Sequence, residues 1–221
     1  YEAVQYDADS IIVGATSETY LLERSRVVEI ASGERNYHIF YQLLTDGGIR
    51  GQWGLGAAEE LVYLSSEPPL VEVEEEERDE KSGKLTGGIK YTLVREDGPR
   101  RVATVAGNSD KQEFAAVQHG LELFGMGAAE MDAVWRIVAA VALLGNVVFT
   151  PKEGVDRDVA VVADEHTIEL AAAAFGCGVD ALRLPMVRKR VTVAGDAMDV
   201  DFSCKAAALA RDALARVVYG T

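Results

Sequence analysis

Apolar positions recur along this chain with two different periods, and the switch between them marks its first boundary. Residues 1–6 alternate apolar and polar, Asp7-Ala8-Asp9-Ser10 makes a turn, and β-branched and aromatic residues run on from Ile11 to Val28. This predicts an antiparallel pair of strands, Tyr1–Tyr6 with Ile11–Tyr20. After Ser32-Gly33 the spacing changes. Tyr37, Phe40, Tyr41 and Leu44 fall three and four apart, which is one face of a helix starting near Glu34. Thr45–Gly56 is rich in glycine and reads as a loop, and Ala57–Leu64 reads as a short helix.

Further on the helical period dominates. Phe114, Val117, Leu121 and Phe124 define a helix over Ser109–Phe124, with Ser109 as its cap. In Ala128–Leu144 the apolar residues cover most of the circumference, so this helix has to be buried on nearly all sides. Asn146–Phe149 and Val159–Val162 are short strands around the polar loop Pro151–Asp158. Asp164–Phe175 is a capped helix, Val179–Leu184 a helical turn, and Ser203–Tyr219 a final helix. Between them, Val187–Val193 and Met198–Val200 form a hairpin around Ala194-Gly195-Asp196. The stretch 68–106 is different. It holds three β-prone runs (Leu70–Val73, Ile89–Val94, Arg101–Val105) separated by glycines, and reads as a surface meander whose acidic run Glu72–Glu80 is a solvated edge.

Composition narrows the function classes. The 221 residues are 48% hydrophobic and 26% charged, enough for a real core, and no apolar run has the length of a membrane span. A net charge of −14 argues against nucleic acid or an anionic membrane as the main partner. Cys177 and Cys204 lack metal-ligand or disulfide spacing, and no signal peptide precedes them, so a cytoplasmic setting is expected. The histidines are single, with His38 expected in a structural role and His119 and His166 at surface or boundary positions. No phosphate-binding GxxxxGK[ST] run occurs, the nearest fragment being Ser82-Gly83-Lys84-Leu85, and no catalytic constellation is suggested.

The exact words carry more than the pattern. Residues 14–44 resemble the myosin motor domain, in which GAxxxTYLLEKSRVV, a variable turn and GERNYHIFYQLL follow in this order, with Arg24 here in place of the usual Lys. The run from Glu113 to Phe149 resembles the family's helix pair ending in LHLGNV, with Ala142-Leu143 replacing Leu-His. Ala210–Arg216 resembles its ARDALAK. The stretch 68–106 has no counterpart in the resemblance.

The resemblance implies an α+β, mostly helical fold. It would be a single partial domain over 1–221, with two N-terminal strands of the motor's central sheet, a helical subdomain with surface hairpins, and an insert at 68–106. It further implies the upper part of the actin-binding cleft, in a cytoskeletal, actin-based motor. The family's phosphate loop and switch I precede the residue matched by Tyr1, and switch II follows Thr221. No catalytic, metal or cofactor residue is therefore expected in this chain, and Mg-ATP is implied only for a complete motor. The hairpin would correspond to the family's cardiomyopathy loop. That makes Arg188, Lys189 and Arg190, the densest basic cluster here, candidates for contact with actin's acidic face, or else a solvated strand edge. Asp196 stands sixteen residues before Asp212, where the family carries an acid or a phosphorylatable hydroxyl. Lys152 lies in a second actin-side loop. The alternative is a standalone, non-enzymatic actin- or protein-interaction module that keeps the fold without the motor.

Overall fold

The computed structural model describes residues 2–17, 22–31, 34–65, 70–78, 85–95, 105–193 and 196–220. The expected Ser32-Gly33 and Ala194-Gly195 turns, and the third run of the insert apart from Val105, lie outside the described residues. The architecture is mostly helical with small two-stranded sheets, as expected.

The first sheet pairs β1 (Glu2–Tyr6) with β2 (Ile12–Ser17), antiparallel, with a bulge after Gln5. Asp7 fastens its turn: its carboxylate accepts the N–H groups of Asp9 and Ile11, both at 2.9 Å. Extended structure is seen only as far as Ser17, and Arg24–Val27 is a 3-10 turn rather than the continuing strand expected to Val28. Within 68–106, β3 (Leu70–Arg78) and β4 (Leu85–Arg95) form one antiparallel pair.

The helices build the core. α1 (His38–Leu43) starts four residues later than the periodicity implies, because Asn36 is consumed by a network of its own. α2 (Gly47–Trp53) occupies the stretch expected to be loop. Asp46 caps it through the N–H groups of Gly48 and Ile49, and Gly54 ends it in the left-handed conformation (φ 61°) that glycine adopts without strain. Ile49 and Trp53, one turn apart, pack on the core. The Ala57–Leu64 helix shrinks to a 3-10 turn at Ala58–Glu60. α3 (Asp110–Leu123) and α4 (Ala128–Leu144) follow as expected, and Phe114 meets Trp135 at 5.0 Å between ring centres. β5 (Phe149–Pro151) pairs with β6 (Ala160–Val162). α5 (Glu165–Phe175) and α6 (Val179–Val187) lead into β7 (Arg188–Val193) and β8 (Asp196–Asp201), and α7 (Cys204–Tyr219) closes the described structure. α4 is the central post. Its residues 139–144 are all buried, and each large apolar side chain so removed from water stabilises by about 1.5–3 kcal/mol.

Two polar networks fix how these helices meet. Asn36, 2% exposed, donates through its amide to the carbonyls of Val27 (3.0 Å) and Tyr63 (2.7 Å). Its side-chain oxygen accepts the N–H of Tyr37 at 2.7 Å, and its own N–H donates to the Tyr41 hydroxyl. That hydroxyl in turn donates to the Leu64 carbonyl at 2.8 Å, and burial holds the phenol above its ordinary pKa. Arg35 stacks on the Tyr41 ring and pairs with Asp110, tying α1 to α3.

The second network joins Gly145-Asn146-Val147 to Arg211-Asp212. Arg211 donates to the carbonyls of Gly145 (3.2 Å) and Val147 (2.8 Å), and Tyr63 donates to Asp212 at 2.6 Å. Asn146 accepts the Val62 N–H and donates to the Glu60 carbonyl. A Cβ on Gly145 would lie 2.7 Å from the Tyr63 ring, so nothing larger fits there.

Of the histidines, His119 and His166 are exposed as expected, but His38 is not the structural residue anticipated. It opens α1 on the exposed side, 3.3 Å from Arg35. Cys204 is shielded beside Asp158; burial, and then that carboxylate, push its thiol up to about 11, while Cys177 is exposed.

Asn36→Ala should lower unfolding free energy by about 2–4 kcal/mol in a denaturant titration, because two carbonyls lose their donor together. Brief iodoacetamide treatment of the folded chain at about pH 8 should alkylate Cys177 and spare Cys204, since the thiol rather than the thiolate persists there; peptide mass mapping reads the difference.

Candidate functional site

The hairpin β7–β8 holds most of the residues that the sequence singles out, and its register decides what they can do. Arg188 faces Asp201, Lys189 faces Val200, Arg190 faces Asp199, and Val191 faces Met198. Side chains alternate between the two faces of a strand, so the basic triplet is divided. Arg188 and Arg190 share one face with Asp199 and Asp201, whereas Lys189 stands on the other with Val191, Met198 and Val200.

On the first face the charges are spent internally. The Arg190 guanidinium donates to Asp199 at 3.0 Å, and Arg188 donates to Asp201 at 3.1 Å. Asp201 also pairs with Arg157 from the β5–β6 loop, at 3.4 Å. The hydrogen bond from Arg190 holds the Asp199 carboxyl below its ordinary value, and Asp199 in turn raises Arg190. Cross-strand opposite charges of this kind favour the paired register of a hairpin.

The second face is open. Met198 is 51% and Val200 36% exposed, and Lys189 has no ion-pair partner among the described residues. Asp196 begins β8 on this same face, at the tip. The hairpin thus offers an apolar strip with one cation at its base and one anion at its end.

Lys152 comes from the neighbouring hairpin. It borders a groove of about 280 Å³ between β6, α6 and the base of β7, shared with Glu165, Arg183, Arg188 and Asp201. Lys152 and Arg188 therefore line one groove, whose lining does not include Arg190 or Asp196. The two hairpins are stitched through Phe202, whose carbonyl accepts the Ala160 N–H and whose N–H donates to the Val187 carbonyl, both at 2.8 Å. Asp158 adds to the seam by accepting the Cys204 N–H at 3.1 Å. Sequence reasoning missed Asp199 and Asp201 as partners of the arginines. Among the described residues no three metal-ligating side chains converge, and no single helix is long and apolar enough to cross a membrane.

This is an α+β assembly around one buried helix, with a composite surface of two stitched hairpins at one end. The family model for the Myosin head (motor domain) matches residues 1–221, and the chain belongs to that family. It is 29% identical to Protein OPAQUE1 of Zea mays and to Myosin-1 of Arabidopsis thaliana, each over 98% of its length. To Unconventional myosin-Ic-A of Xenopus laevis it is 30% identical over its whole length. The chain spans 12%, 16% and 18% of these three relatives respectively.

Arg190→Asp alone should weaken the cross-strand nuclear Overhauser contacts between Val191 and Met198, and adding Asp199→Arg should restore them. Because Asp199 is depressed in the folded hairpin, its contribution is complete above the ordinary carboxylate range. It should begin to fade below about pH 4, as the pH falls toward the lowered folded value; the same contacts followed through an acid titration check this.

Proposed function

We propose that this chain is the upper actin-cleft part of an ATP-driven, actin-based cytoskeletal motor, working in the cytoplasm. In this reading it carries the state of a nucleotide-sensing sheet to the actin surface. Mg-ATP binds elsewhere in the complete motor, and the residues here do mechanical and docking work.

The observation that supports the reading is the run of contacts from the 3-10 turn at Arg24–Val27, which follows the strands in the chain, through α7 to the hairpin. After β2 the chain makes the 3-10 turn Arg24–Val27, which packs on the end of α7: Arg24 donates to the Gly220 carbonyl, and Tyr37 stacks on Tyr219 at 4.7 Å. α7 is gripped at its middle by Arg211 and Asp212, and its start is continuous with β8 through Phe202 and Ser203. A displacement of the 3-10 turn would therefore reach the hairpin through a stiff helix. The exposed apolar residues Val4, Tyr6, Ile12 and Val13 on β1–β2 suit strands belonging to a wider sheet.

At the docking end the open face supplies the contact: Lys189 steers toward an acidic surface, and Val191, Met198 and Val200 give it apolar area. Arg188 and Arg190 hold the hairpin in shape. Lys152, across the groove, extends the cationic rim, and Asp196 places a fixed negative charge at the tip.

In the complete motor, Lys189→Glu should slow association with actin filaments by up to about five-fold, the scale of one exposed charge pair. The neutral pair Arg190→Gln with Asp199→Asn should leave that rate within error. Asp196→Ala should lower actin-activated turnover with basal ATP hydrolysis unchanged. Stopped-flow association and steady-state turnover measure these; equal effects of the Lys189 and Arg190/Asp199 changes would contradict the assignment of faces.

A further inference from the structure

One hydroxyl on the hairpin is placed as a modification site. Lys189-Arg190-Val191-Thr192-Val193 is the sole stretch of the 221 residues in which two basic residues stand three and two positions before a serine or threonine. Protein kinases that choose substrates by charge read this arrangement, seating the two cations in acidic subsites and the hydroxyl at the reacting phosphate. The substrate must be extended, so that successive side chains point to opposite sides and reach different subsites.

The structure meets each requirement. Thr192 lies in a β-strand, already extended, one residue before its described end. It is exposed, and among the described residues its hydroxyl has no hydrogen-bond partner. Its cross-strand neighbour is Ala197, too small to cover it. Lys189 and Arg190 stand on opposite faces of the strand, and the Arg190 side chain is 74% exposed despite its bond to Asp199. Only the terminal pairs Thr192–Ala197 and Val193–Asp196 have to fray for a kinase to take hold of the segment.

We propose that Thr192 is a phosphorylation site for a basic-directed serine/threonine kinase. The Thr192 hydroxyl oxygen attacks the γ-phosphorus of Mg-ATP. A new O–P bond forms, the bond from that phosphorus to the β–γ bridging oxygen breaks, ADP departs, and the hydroxyl proton passes to the kinase's catalytic carboxylate. The phosphate then stands on the face of Arg190, roughly 6.5 Å along the strand. It carries close to two negative charges and three strong acceptors, so it competes with Asp199 for the Arg190 guanidinium and repels Asp199 itself. A hairpin whose three basic and three acidic side chains balance acquires a net negative charge at its tip, beside Asp196. The site is independent of what the hairpin binds. Its consequence, weaker docking on an acidic filament, rests on the actin reading above.

The test uses the 221-residue chain, the catalytic subunit of cyclic-AMP-dependent protein kinase as the basic-directed probe, and Mg-ATP. Intact mass and peptide mapping should show one phosphate per chain, on Thr192. Thr192→Val should take up none while its circular dichroism spectrum is unchanged. Lys189→Gln with Arg190→Gln should slow incorporation about tenfold or more, as loss of charge-assisted contacts in the kinase subsites requires. No incorporation into the wild-type chain, or phosphate that persists in Thr192→Val, would overturn the site. If Thr192 is phosphorylated but actin affinity of the phosphorylated complete motor is unchanged, the site stands and the docking consequence fails.

Discussion

The buried amide of Asn36 is the constraint on which the rest of this structure depends. One side chain satisfies backbone groups from three separate segments: the 3-10 turn at Val27, the entry to α1 at Tyr37, and the chain at Tyr63. An apolar residue of the same size would fill the space but leave two carbonyls without donors, and each such orphan costs about 1–3 kcal/mol. The network therefore specifies a geometry as well as adding stability. Tyr63 then hands the constraint onward, because its hydroxyl donates to Asp212 while its ring leaves Gly145 no room for a Cβ. Through these contacts the position of α7, and so of the hairpin at its start, is set from the centre of the molecule.

Much of this was legible in the sequence where one period dominates. α3, α4, α5 and α7 sit close to where the sequence puts them, and the strands β7 and β8 fall on the two runs expected on either side of Ala194-Gly195-Asp196. α2 was not, because four glycines from 47 to 54 read as loop when summed. Their positions tell otherwise: Asp46 is a cap, and Gly54 is the residue that stops a helix. The late start of α1 was hidden because Asn36 works through bonds to Val27 and Tyr63, which no local pattern reveals. His38, placed inside by its neighbours' spacing, stays outside because it is the first residue of a short helix.

The candidate site shows the same division. Arg188, Lys189 and Arg190 are adjacent in the chain, and adjacency suggests a single cationic patch. A strand sends neighbours to opposite faces, so only the register reveals that two of the three charges are matched by Asp199 and Asp201. Once the turn is fixed that register follows from the sequence, so the aspartates were recoverable had the hairpin been paired residue by residue. The face without cross-strand ion pairs carries Lys189 with Val191, Met198 and Val200. In the docking proposed above, steering toward an acidic filament would fall to one cation, and affinity to apolar area.

The central claim is that the open face of the hairpin, rather than its arginine face, meets the filament. Site-specific photocrosslinking tests it directly. p-Benzoylphenylalanine placed at position 198 or at position 190 of the complete motor, irradiated on actin filaments without nucleotide, samples the two faces of one hairpin under identical conditions. The account predicts a covalent actin adduct from position 198 and none above background from position 190. An adduct from position 190 alone would contradict it.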